Sequence, residues 1–318
     1  MRPSPESRSP RFRPCSKFIF NVRASYAQET MATLEYFQGL GVPVTGVWNN
    51  LISFDQNDTF GNAGYNGLVL AWQNYNNTGG MPSTITPTIA RFRYTRNDDT
   101  SVPAQAGSAE AYLESLGSAS MDVGVMMTDT YGAGSQFIQL LRQWQYTPGN
   151  MHTNLRLHFS NISFVSADAL IADLVSAGSV DTGTGSMPYT QDVMVSEVVP
   201  NYQTTTAQIV ATYNMLSKAA GQAPTFTALE GYIATNIFIQ GLLNVSGPIT
   251  PDSMIPALQS LPNLSLGLGA TAGFSPTNHQ YLDSVWGTTL NGDGSFKDTY
   301  YWTVDTSSAP LGTYMPFE

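Results

Sequence analysis

Residues 121–144 have the sequence MDVGVMMTDTYGAGSQFIQLLRQW, and this stretch decides the fold. Its first part, Met121–Met127, is an apolar run that predicts a buried strand. Its last part, Ser135–Trp144, has the apolar spacing of a helix. A short turn with an acid and two glycines, Asp129–Gly134, joins them. The stretch is therefore interpreted as one strand–turn–helix unit.

The same unit recurs along the first two thirds of the chain. Ser25 and Gln28 form a predicted capping box before the first helix. The predicted strands are Phe18–Val22, Val42–Trp48, Ile89–Tyr94, Met121–Met127, a strand that ends at Ser163–Ser166, and Val193–Val199. The predicted helices are Tyr26–Leu40, Gly61–Tyr75, Ala104–Leu116, Ser135–Trp144 and Ala167–Ala177. This alternation predicts an α/β fold with a largely parallel sheet and helices on both of its faces.

The pattern changes after Pro200. Three helices are predicted in succession: Thr204–Ala220, Thr227–Leu243 and Pro251–Leu261. Two strands follow, Tyr281–Leu290 and Phe296–Val304, and the Asn-Gly-Asp-Gly sequence between them predicts a hairpin. An α/β unit, a helical block and a return to strands indicate two lobes that are connected by several crossings of the chain.

The charge pattern limits the classes of partner. Only 11% of the 318 residues are charged, and the formal net charge is −10. Six of the 13 basic residues lie within the first 23 positions, so the remainder carries 7 basic and 22 acidic residues. Such a surface repels phosphate backbones, and we expect no nucleic-acid partner.

Residues 1–16 form a separate compositional segment, rich in Arg, Ser and Pro. They contain no apolar core of a secretory signal, so we expect a disordered basic tail and no signal peptide in this chain. Cys15 is the only cysteine, which excludes an intramolecular disulfide and a thiolate zinc site. No run approaches the ~18–20 apolar residues that a transmembrane helix needs.

The usual signatures of catalysis are not found. His152, His158 and His279 have no partner at a metal-binding spacing. The sequence has no nucleophile elbow, and no phosphate-binding glycine motif follows a predicted strand. An α/β enzyme is therefore the weakest interpretation, and we expect no catalytic residue, metal or cofactor.

Three short turns follow predicted strands: Asp58–Gly61, Asp129–Gly132 and Ser166–Asp168. The carboxyl ends of parallel strands lie along one edge of a sheet, so these turns are predicted to meet at one crevice. Aromatic rings with a carboxylate suit a small ligand that has an apolar part and a cationic amine. In the alternative interpretation, the acids and glycines only make tight turns and the rings pack on neighbouring helices.

Several segments resemble the type I periplasmic binding proteins, and in particular the leucine/isoleucine/valine-binding receptors of ABC importers. The resemblance runs in order from Lys17 to Phe296. The segments are FNVRASYAQET (20–30), DTFG (58–61) with Gly64, NISFV (161–165), VVP (198–200), LEGYIA (229–234) and FSPTNHQ (274–280).

The resemblance implies two α/β lobes joined by three crossovers, near Val22–Ser25, Val198–Asn201 and Ala270–Ser275. Residues 17–198 and 276–318 would form the C-terminal lobe, and residues 199–275 the helical remainder of the N-terminal lobe. It also implies a periplasmic or extracellular solute-binding protein with a membrane ABC permease as partner. The ligand would be a branched-chain amino acid or a similar molecule. A sensory or regulatory domain on the same fold is the alternative.

The resemblance also assigns candidate ligand-binding residues. Phe60 matches an aromatic residue that lines the ligand side chain, and Tyr131 matches a pocket tyrosine. Asp168 falls where an acid pairs with the ligand ammonium. Phe226 corresponds to an apolar wall residue. Tyr26, beside the first crossover, is a candidate for the hinge or the cleft.

One departure from the family pattern concerns the N-terminal lobe. In the family the first crossover follows roughly a hundred residues, about the size of a small domain, whereas here it begins near residue 18. We therefore expect an incomplete N-terminal lobe and a truncated copy. Its helices would expose apolar residues that otherwise pack on a sheet. Those residues are Tyr232, Ile233, Ile237, Leu242 and Leu243.

Overall fold

A sheet of eight strands forms the centre of the structure. The computed structural model describes residues 17–46, 50–76, 85–262, 273–304 and 313–317. Its strands are β1 (Leu51–Gln56), β2 (Ala90–Tyr94), β3 (Met121–Thr128), β4 (Leu155–Asn161), β5 (Ser179–Asp181), β6 (Ser186–Pro188), β7 (Val193–Glu197), β8 (Val285–Leu290), β9 (Phe296–Thr303) and β10 (Thr313–Pro316). The order in the main sheet is β10-β9-β8-β7-β4-β3-β1-β2, and β5 and β6 form a separate ribbon.

The sheet has a parallel part and an antiparallel part. Strands β7, β4, β3, β1 and β2 are parallel, as the repeated strand–helix pattern predicts. Strands β8, β9 and β10 add antiparallel neighbours at the β7 edge. The predicted hairpin between β8 and β9 is confirmed, with the Asn291 and Ser295 backbones hydrogen-bonded across its turn. The α/β fold class is therefore confirmed.

Helices cover both faces of this sheet. In the described residues they are α1 (Tyr26–Gly39), α2 (Thr59–Tyr75), α3 (Val102–Ser115), α4 (Tyr131–Gln145), α5 (Ala167–Ala177), α6 (Gln208–Ala219), α7 (Phe226–Leu243) and α8 (Pro251–Gln259). Buried residues of α1 and α2, among them Phe37 and Trp72, pack on one face. Buried residues of α3, α4 and α5, among them Phe137 and Leu170, pack on the other.

Local sequence signals explain where two helices begin. The predicted capping box of α1 is confirmed, because Ser25 Oγ accepts from Gln28 N and Gln28 Oε1 accepts from Ser25 N. Helix α2 starts on the side-chain cap of Asp58. It lies so close to the strand ends that a Cβ at Gly64 would overlap the Thr128 side chain. Glycine is required at this position because the helix and the strand end approach too closely for a side chain to fit.

Two strand predictions were wrong. Phe18–Val22 forms a single bridge, Asn21 to Gln280, rather than a strand. In Val42–Trp48, residues 42–46 form no strand, and 47–48 lie outside the described residues. Pro43 has no N–H to give to a strand ladder, and the strand forms instead at Leu51–Gln56.

The end of β4 was also predicted wrongly. Ser163–Val165 is a 3-10 turn, and the strand stops at Asn161. The next two backbone donors pair with side chains rather than with a neighbouring strand. Ile162 N donates to Asn161 Oδ1 at 3.0 Å, and Ser163 N donates to Glu29 Oε2 at 2.8 Å. These bonds turn the chain away from the ladder.

The helical block after β7 buries one face of α7 in the same core as the sheet. Leu229, Ile233 and Ile237 are at most 1% exposed, so the expectation that Ile233 and Ile237 are exposed was wrong. Their spacing of four residues places them on one face of α7. The opposite side of α7 does expose apolar residues, and Leu243 is 75% exposed.

The segment before α1 lies beside the segment that precedes β8, since Asn21 N donates to His279 O at 2.7 Å and Leu282 N donates to Val22 O at 3.0 Å. The predicted division into lobes stays a prediction. Residues 270–272 of the third crossover, the tail at 1–16 and Cys15 lie outside the described residues. No helix within the described ranges is long and apolar enough to cross a bilayer.

The close approach at Gly64 leads to a stability prediction. Gly64→Ala is expected to lower the free energy of unfolding by about 1–3 kcal/mol, because the added methyl group overlaps Thr128. Gly107→Ala in α3 is the matched control, since a Cβ there meets open space. It is expected to raise stability by about 0.5–1 kcal/mol. Urea denaturation of both variants measures the difference, and an unchanged Gly64→Ala midpoint would contradict the packing described.

Candidate functional site

Buried polar side chains line the carboxyl ends of the parallel strands. Each lies at or next to the last residue of β1, β3, β4 or β7, and each is at most 5% exposed. They are Asp55, Gln56, Thr128, Asp129, Asn161, Ser196 and Glu197. A buried polar group is costly unless it is paired, so such a concentration on one edge marks the place where function is expected.

Hydrogen bonds join several of these groups across the sheet. Asn161 Nδ2 donates to Asp129 Oδ1 at 2.6 Å, which connects β4 with the end of β3. Ser196 Oγ donates to Asn161 O at 3.3 Å and to Glu29 Oε2 at 2.9 Å. Ser163 N donates to the same Glu29 oxygen. The network therefore extends from the sheet edge into α1.

Arg23 connects this network with the helical block. Its Nη2 donates to Glu29 Oε1 at 2.6 Å and to Ser163 Oγ at 2.7 Å, and its Nη1 lies 3.5 Å from Glu230 Oε1 on α7. Burial raises the pKa of Glu29, although the charge of Arg23 and three hydrogen bonds act in the opposite direction. Arg23 thus holds together the first crossover, α1, the turn after β4, and α7.

Two predicted site residues, Tyr26 and Phe60, meet in an aromatic cluster. Their ring centroids are 5.7 Å apart, and the Phe60 ring is 4.7 Å from that of Phe164. The Arg23 guanidinium lies over the Tyr26 ring at 5.2 Å. Phe164 is 55% exposed, so the cluster reaches the surface. Phe60, in the turn after β1, therefore contacts Phe164 in the segment after β4, which lies just before the predicted turn at Ser166–Asp168; the common crevice of the three turns stays a prediction.

The acid of the first predicted turn has a structural role. Asp58 Oδ1 accepts from the N–H groups of Phe60 and Gly61 at 2.9 and 3.2 Å. Its Oδ2 accepts from Gln56 Nε2 at 2.5 Å. Although desolvation acts in the opposite direction, these hydrogen bonds lower the pKa of Asp58. This carboxylate orients Phe60 by fixing the start of α2.

Asp168, in the first turn of α5, is hydrogen-bonded to the start of α7. Its Oδ1 accepts from the Tyr202 hydroxyl at 2.7 Å, and its Oδ2 accepts from Phe226 N at 2.9 Å. Burial raises the pKa of Asp168, against the effect of both hydrogen bonds. Ser166, two residues earlier, has φ +65°, a left-handed conformation that is uncommon for a residue with a side chain. The strained residue turns the chain so that Asp168 faces α7.

The other two predicted residues occupy different positions. The Phe226 ring is 2% exposed and packs against Tyr202 and Phe296 at 5.0 and 5.1 Å. It therefore lies beneath the surface, while its backbone N–H binds Asp168. Tyr131 is the first residue of α4 and 47% exposed. Its ring stands apart from the aromatic cluster.

Within the described part of the chain, two buried carboxylates at this edge each have an oxygen without a hydrogen-bond partner. They are Asp129 Oδ2 and Glu197 Oε1. Burial raises the pKa of both well above the usual range. For Glu197 the negative charges of Glu29, Asp168 and Glu230 add to that effect, and Arg23 reduces it.

Sequence reasoning missed several of these residues, although two left a signal. Glu29 is an acid within the buried stripe of α1, and Glu197 is an acid within the apolar run at 193–199. An acid at an otherwise apolar position marks a buried charge that needs a partner. Arg23 and Tyr202 gave no such signal, because half-buried polar residues are common near loops. Within the described ranges, no cluster of His, Cys, Asp or Glu could hold a metal ion.

The buried ion pair gives a second prediction. Arg23→Ala is expected to reduce the free energy of unfolding by about 3–5 kcal/mol at neutral pH, because Glu29 stays buried without its cation. A Glu whose pKa is raised on folding holds a proton that the unfolded chain releases. The loss is therefore expected to grow from pH 5 to pH 8.

Chemical denaturation at both pH values measures this loss. The double variant Arg23→Ala/Glu29→Gln is the control, since it removes the charge as well as its partner, and it is expected to recover part of the stability. An equal loss in the single and double variants would show that the charge of Glu29 is not what Arg23 compensates.

Comparisons with known proteins agree with this architecture. A family model described as "periplasmic binding protein" matches residues 4–295. A possible leucine/isoleucine/valine-binding protein from Rhodopirellula baltica SH 1 is 26% identical, with a TM-score of 0.67. The match covers 89% of this chain and 66% of that protein, so the chain spans slightly less than two thirds of its length. No curated protein sequence gave a significant match.

Two further solved structures share the fold. An ABC transporter substrate-binding protein from Desulfitobacterium hafniense in complex with Leu is 17% identical, with a TM-score of 0.59 over 90% of this chain and 68% of that one. A fatty acid ABC transporter substrate-binding protein from Thermomonospora curvata is 11% identical, with a TM-score of 0.61 over 95% of this chain and 65% of that one. By the match over most of its length and by its sheet and helix arrangement, the chain belongs to the type I periplasmic binding protein family.

Proposed function

We propose that this chain is a substrate-binding protein of an ABC importer. Its ligand would be a branched-chain amino acid or a similar small amino-acid-like molecule. The proposal rests on the place where the carboxyl edge of the sheet meets α7, because acids and aromatic rings lie together there. This place is called the junction. Family membership supports a ligand-binding role, and the similarity to the possible leucine/isoleucine/valine-binding protein from Rhodopirellula baltica supports the ligand class.

Each part of the junction has a role in this proposal. Tyr26, Phe60 and the exposed Phe164 would contact the apolar part of the ligand, and Tyr131 would border it from α4. Asp168 would accept the ligand ammonium. A carboxylate has about four lone-pair positions, so the bonds from Tyr202 and Phe226 leave acceptor capacity for an ammonium donor. The buried Phe226 ring would support the site from below.

The proposal includes a division of the chain into two lobes. Residues 17–198 and 276–318 would form the C-terminal lobe, and residues 199–275 would belong to the N-terminal lobe. The crossovers would then act as a hinge, and Arg23 and Asp168 would hold contacts between the lobes. A membrane permease would receive the ligand from this protein outside the cytoplasmic membrane.

The first test is ligand-induced stabilisation. Twenty L-amino acids are added singly, at millimolar concentration, to the purified chain and its unfolding is followed by thermal shift. At least one is expected to raise the melting temperature by about 3 °C, as binding to the folded state alone requires. The amino acid should be recovered unchanged by mass spectrometry. A panel with no stabilising member would overturn the proposal.

The aromatic cluster gives a variant test. Phe60→Leu is expected to weaken binding of the best amino acid about tenfold, because an aromatic contact is lost while apolar volume is kept. Phe238→Leu on the outer side of α7 is the control, since this ring is 52% exposed and the same substitution is made there. Calorimetric titration measures both. Equal affinities for Phe60→Leu and the unaltered protein would show that Phe60 only packs against helices.

A separate variant tests whether Asp168 binds the ligand ammonium. Asp168→Asn is expected to weaken binding by about 2–5 kcal/mol, as for other buried charge pairs, while Asn Oδ1 still accepts a hydrogen bond from its neighbours. Asp173→Asn, on the same helix, is the matched control and should bind normally. An unchanged calorimetric affinity in Asp168→Asn would remove Asp168 from the ligand site.

A further inference from the structure

Phe164 is an exposed aromatic residue within a segment that is otherwise buried. It is 55% exposed, whereas the residues on either side of it, Ser163 and Val165, are 8% and 1% exposed. Hydrogen bonds hold the backbone of this segment, since Ser163 N donates to Glu29 Oε2 at 2.8 Å and Ser166 N donates to Ser163 O at 3.2 Å. The Phe164 ring therefore extends to the surface from a fixed backbone. A large apolar ring in water costs free energy, which is recovered when a ligand covers it.

A series of ring contacts connects Phe164 with Arg23. The Phe164 centroid lies 4.7 Å from that of Phe60 with the rings inclined by 54°, and the Phe60 centroid lies 5.7 Å from that of Tyr26 with the rings inclined by 70°. The Arg23 guanidinium lies over the Tyr26 ring at 5.2 Å. Inclined rings at these separations bring the positive edge of one ring towards the negative face of the next. Phe164 is the exposed end of this series, so a further ring can join it there.

The series of rings is part of a closed circuit of contacts that passes through α7. The Arg23 guanidinium lies 3.5 Å from Glu230 Oε1. Glu230 is one helical turn from Phe226, whose N–H donates to Asp168 Oδ2 at 2.9 Å. Asp168 in turn lies four residues after Phe164 in the chain. Because a measured contact or the chain itself connects every step, the aromatic rings and Asp168 border one region.

This circuit is accessible to solvent and carries charges of both signs. The side chains of Arg23 and Glu230 are 22% and 31% exposed, and Asp168 is half-buried. An amino acid with a ring in its side chain has one group for each part of the circuit. Its ring suits the aromatic series, its ammonium suits the acids, and its carboxylate suits the guanidinium.

Ring contacts distinguish an aromatic ligand from an aliphatic one of the same size. Either kind of side chain removes apolar surface of Phe164 from water, and this contribution depends on area alone. Only an aromatic ring adds the attraction between its edge and the face of Phe164, as Phe60 and Tyr26 already do with their neighbours. The exposed end of the series therefore favours a ring.

We propose that the ligand is an amino acid with an aromatic side chain, and that Phe164 determines this specificity. L-phenylalanine is the simplest member of the class. Its ring would continue the series of Tyr26, Phe60 and Phe164, and its ammonium would face Asp168. The inference rests on the proposed function, since it names the side-chain class of the ligand for the same site.

Calorimetric titration of the unaltered chain tests the ligand class. The probes are L-phenylalanine, L-cyclohexylalanine and L-leucine at neutral pH. L-cyclohexylalanine has a saturated ring of nearly the same size, so it covers the same area without an aromatic edge or face. L-phenylalanine is expected to bind about fivefold more tightly than L-cyclohexylalanine, and also more tightly than L-leucine.

The outcomes separate this inference from the proposed function. Equal affinities for L-phenylalanine and L-cyclohexylalanine, or tightest binding of L-leucine, would overturn the aromatic class. The proposed function would stand in both cases, because an amino acid is still bound. If these three and every other amino acid fail to bind, both are wrong.

Phe164→Leu tests the residue. The preference for L-phenylalanine over L-cyclohexylalanine is expected to fall from about fivefold to about one, because the ring is lost while apolar volume is kept. The affinity for L-cyclohexylalanine is expected to change by less than about twofold, since area alone holds its ring. Phe238→Leu on α7 is the matched control, because Phe238 is 52% exposed and Phe164 is 55% exposed. It should keep the preference.

The ratio of the two affinities separates specificity from support of the fold. A purely structural role of Phe164 would weaken the binding of both amino acids equally and leave their ratio unchanged. An unchanged ratio in folded Phe164→Leu would therefore overturn the assignment of Phe164. If that variant does not fold, the comparison of the two amino acids on the unaltered protein still decides the ligand class.

Discussion

The ion pair between Arg23 and Glu29 is the interaction on which the arrangement of this protein depends. Glu29 is fully buried, and a carboxylate in that position needs a cation and hydrogen-bond donors close by. Arg23 supplies the cation from the first crossover, and Ser163 and Ser196 supply donors from the ends of β4 and β7. The positions of the crossover, α1 and two strand ends are thereby fixed together. Because the same guanidinium also faces Glu230, the placement of α7 is coupled to that of the sheet edge.

The other polar residues at this edge of the sheet are of two kinds: some have their side-chain oxygens hydrogen-bonded, and others have an oxygen that is unpaired within the described residues. Asp58 and Asn161 have their oxygens in hydrogen bonds, so they fix the start of α2 and the turn after β4. Asp129 and Glu197 are equally buried but each leaves an oxygen unpaired. Residues of the second kind reduce the stability of the free protein, which is common at sites that are completed by a ligand. Residues of the first kind form the framework of the site, and residues of the second kind are the groups that still lack a hydrogen-bond partner in the part of the chain that the structure describes.

Much of the fold could be predicted from local sequence, because local interactions decide it. The Ser25–Gln28 capping box, the apolar run of β3 and the turn between β8 and β9 each act within a few residues. The error at β4 arose where a distant group decides, since the end of this strand depends on Glu29, more than 130 residues away in sequence. The error at 42–48 has a local cause, because Pro43 interrupts an apolar run that otherwise resembles a strand. For the site, the parallel sheet predicted that the turns at 58–61, 129–132 and 166–168 meet. Phe60 of the first turn contacts Phe164, just before the third, and the common crevice stays a prediction. The pairing of Arg23 with Glu29 depends on tertiary structure alone.

The fold by itself does not determine the ligand. Solved structures with this fold include a protein in complex with Leu and a fatty acid transporter protein, and these ligands differ in charge and polarity. Selectivity must therefore come from side chains that the common framework holds at the strand ends. In this chain those side chains are mainly carboxylates and aromatic rings, with a single guanidinium at the junction to α7.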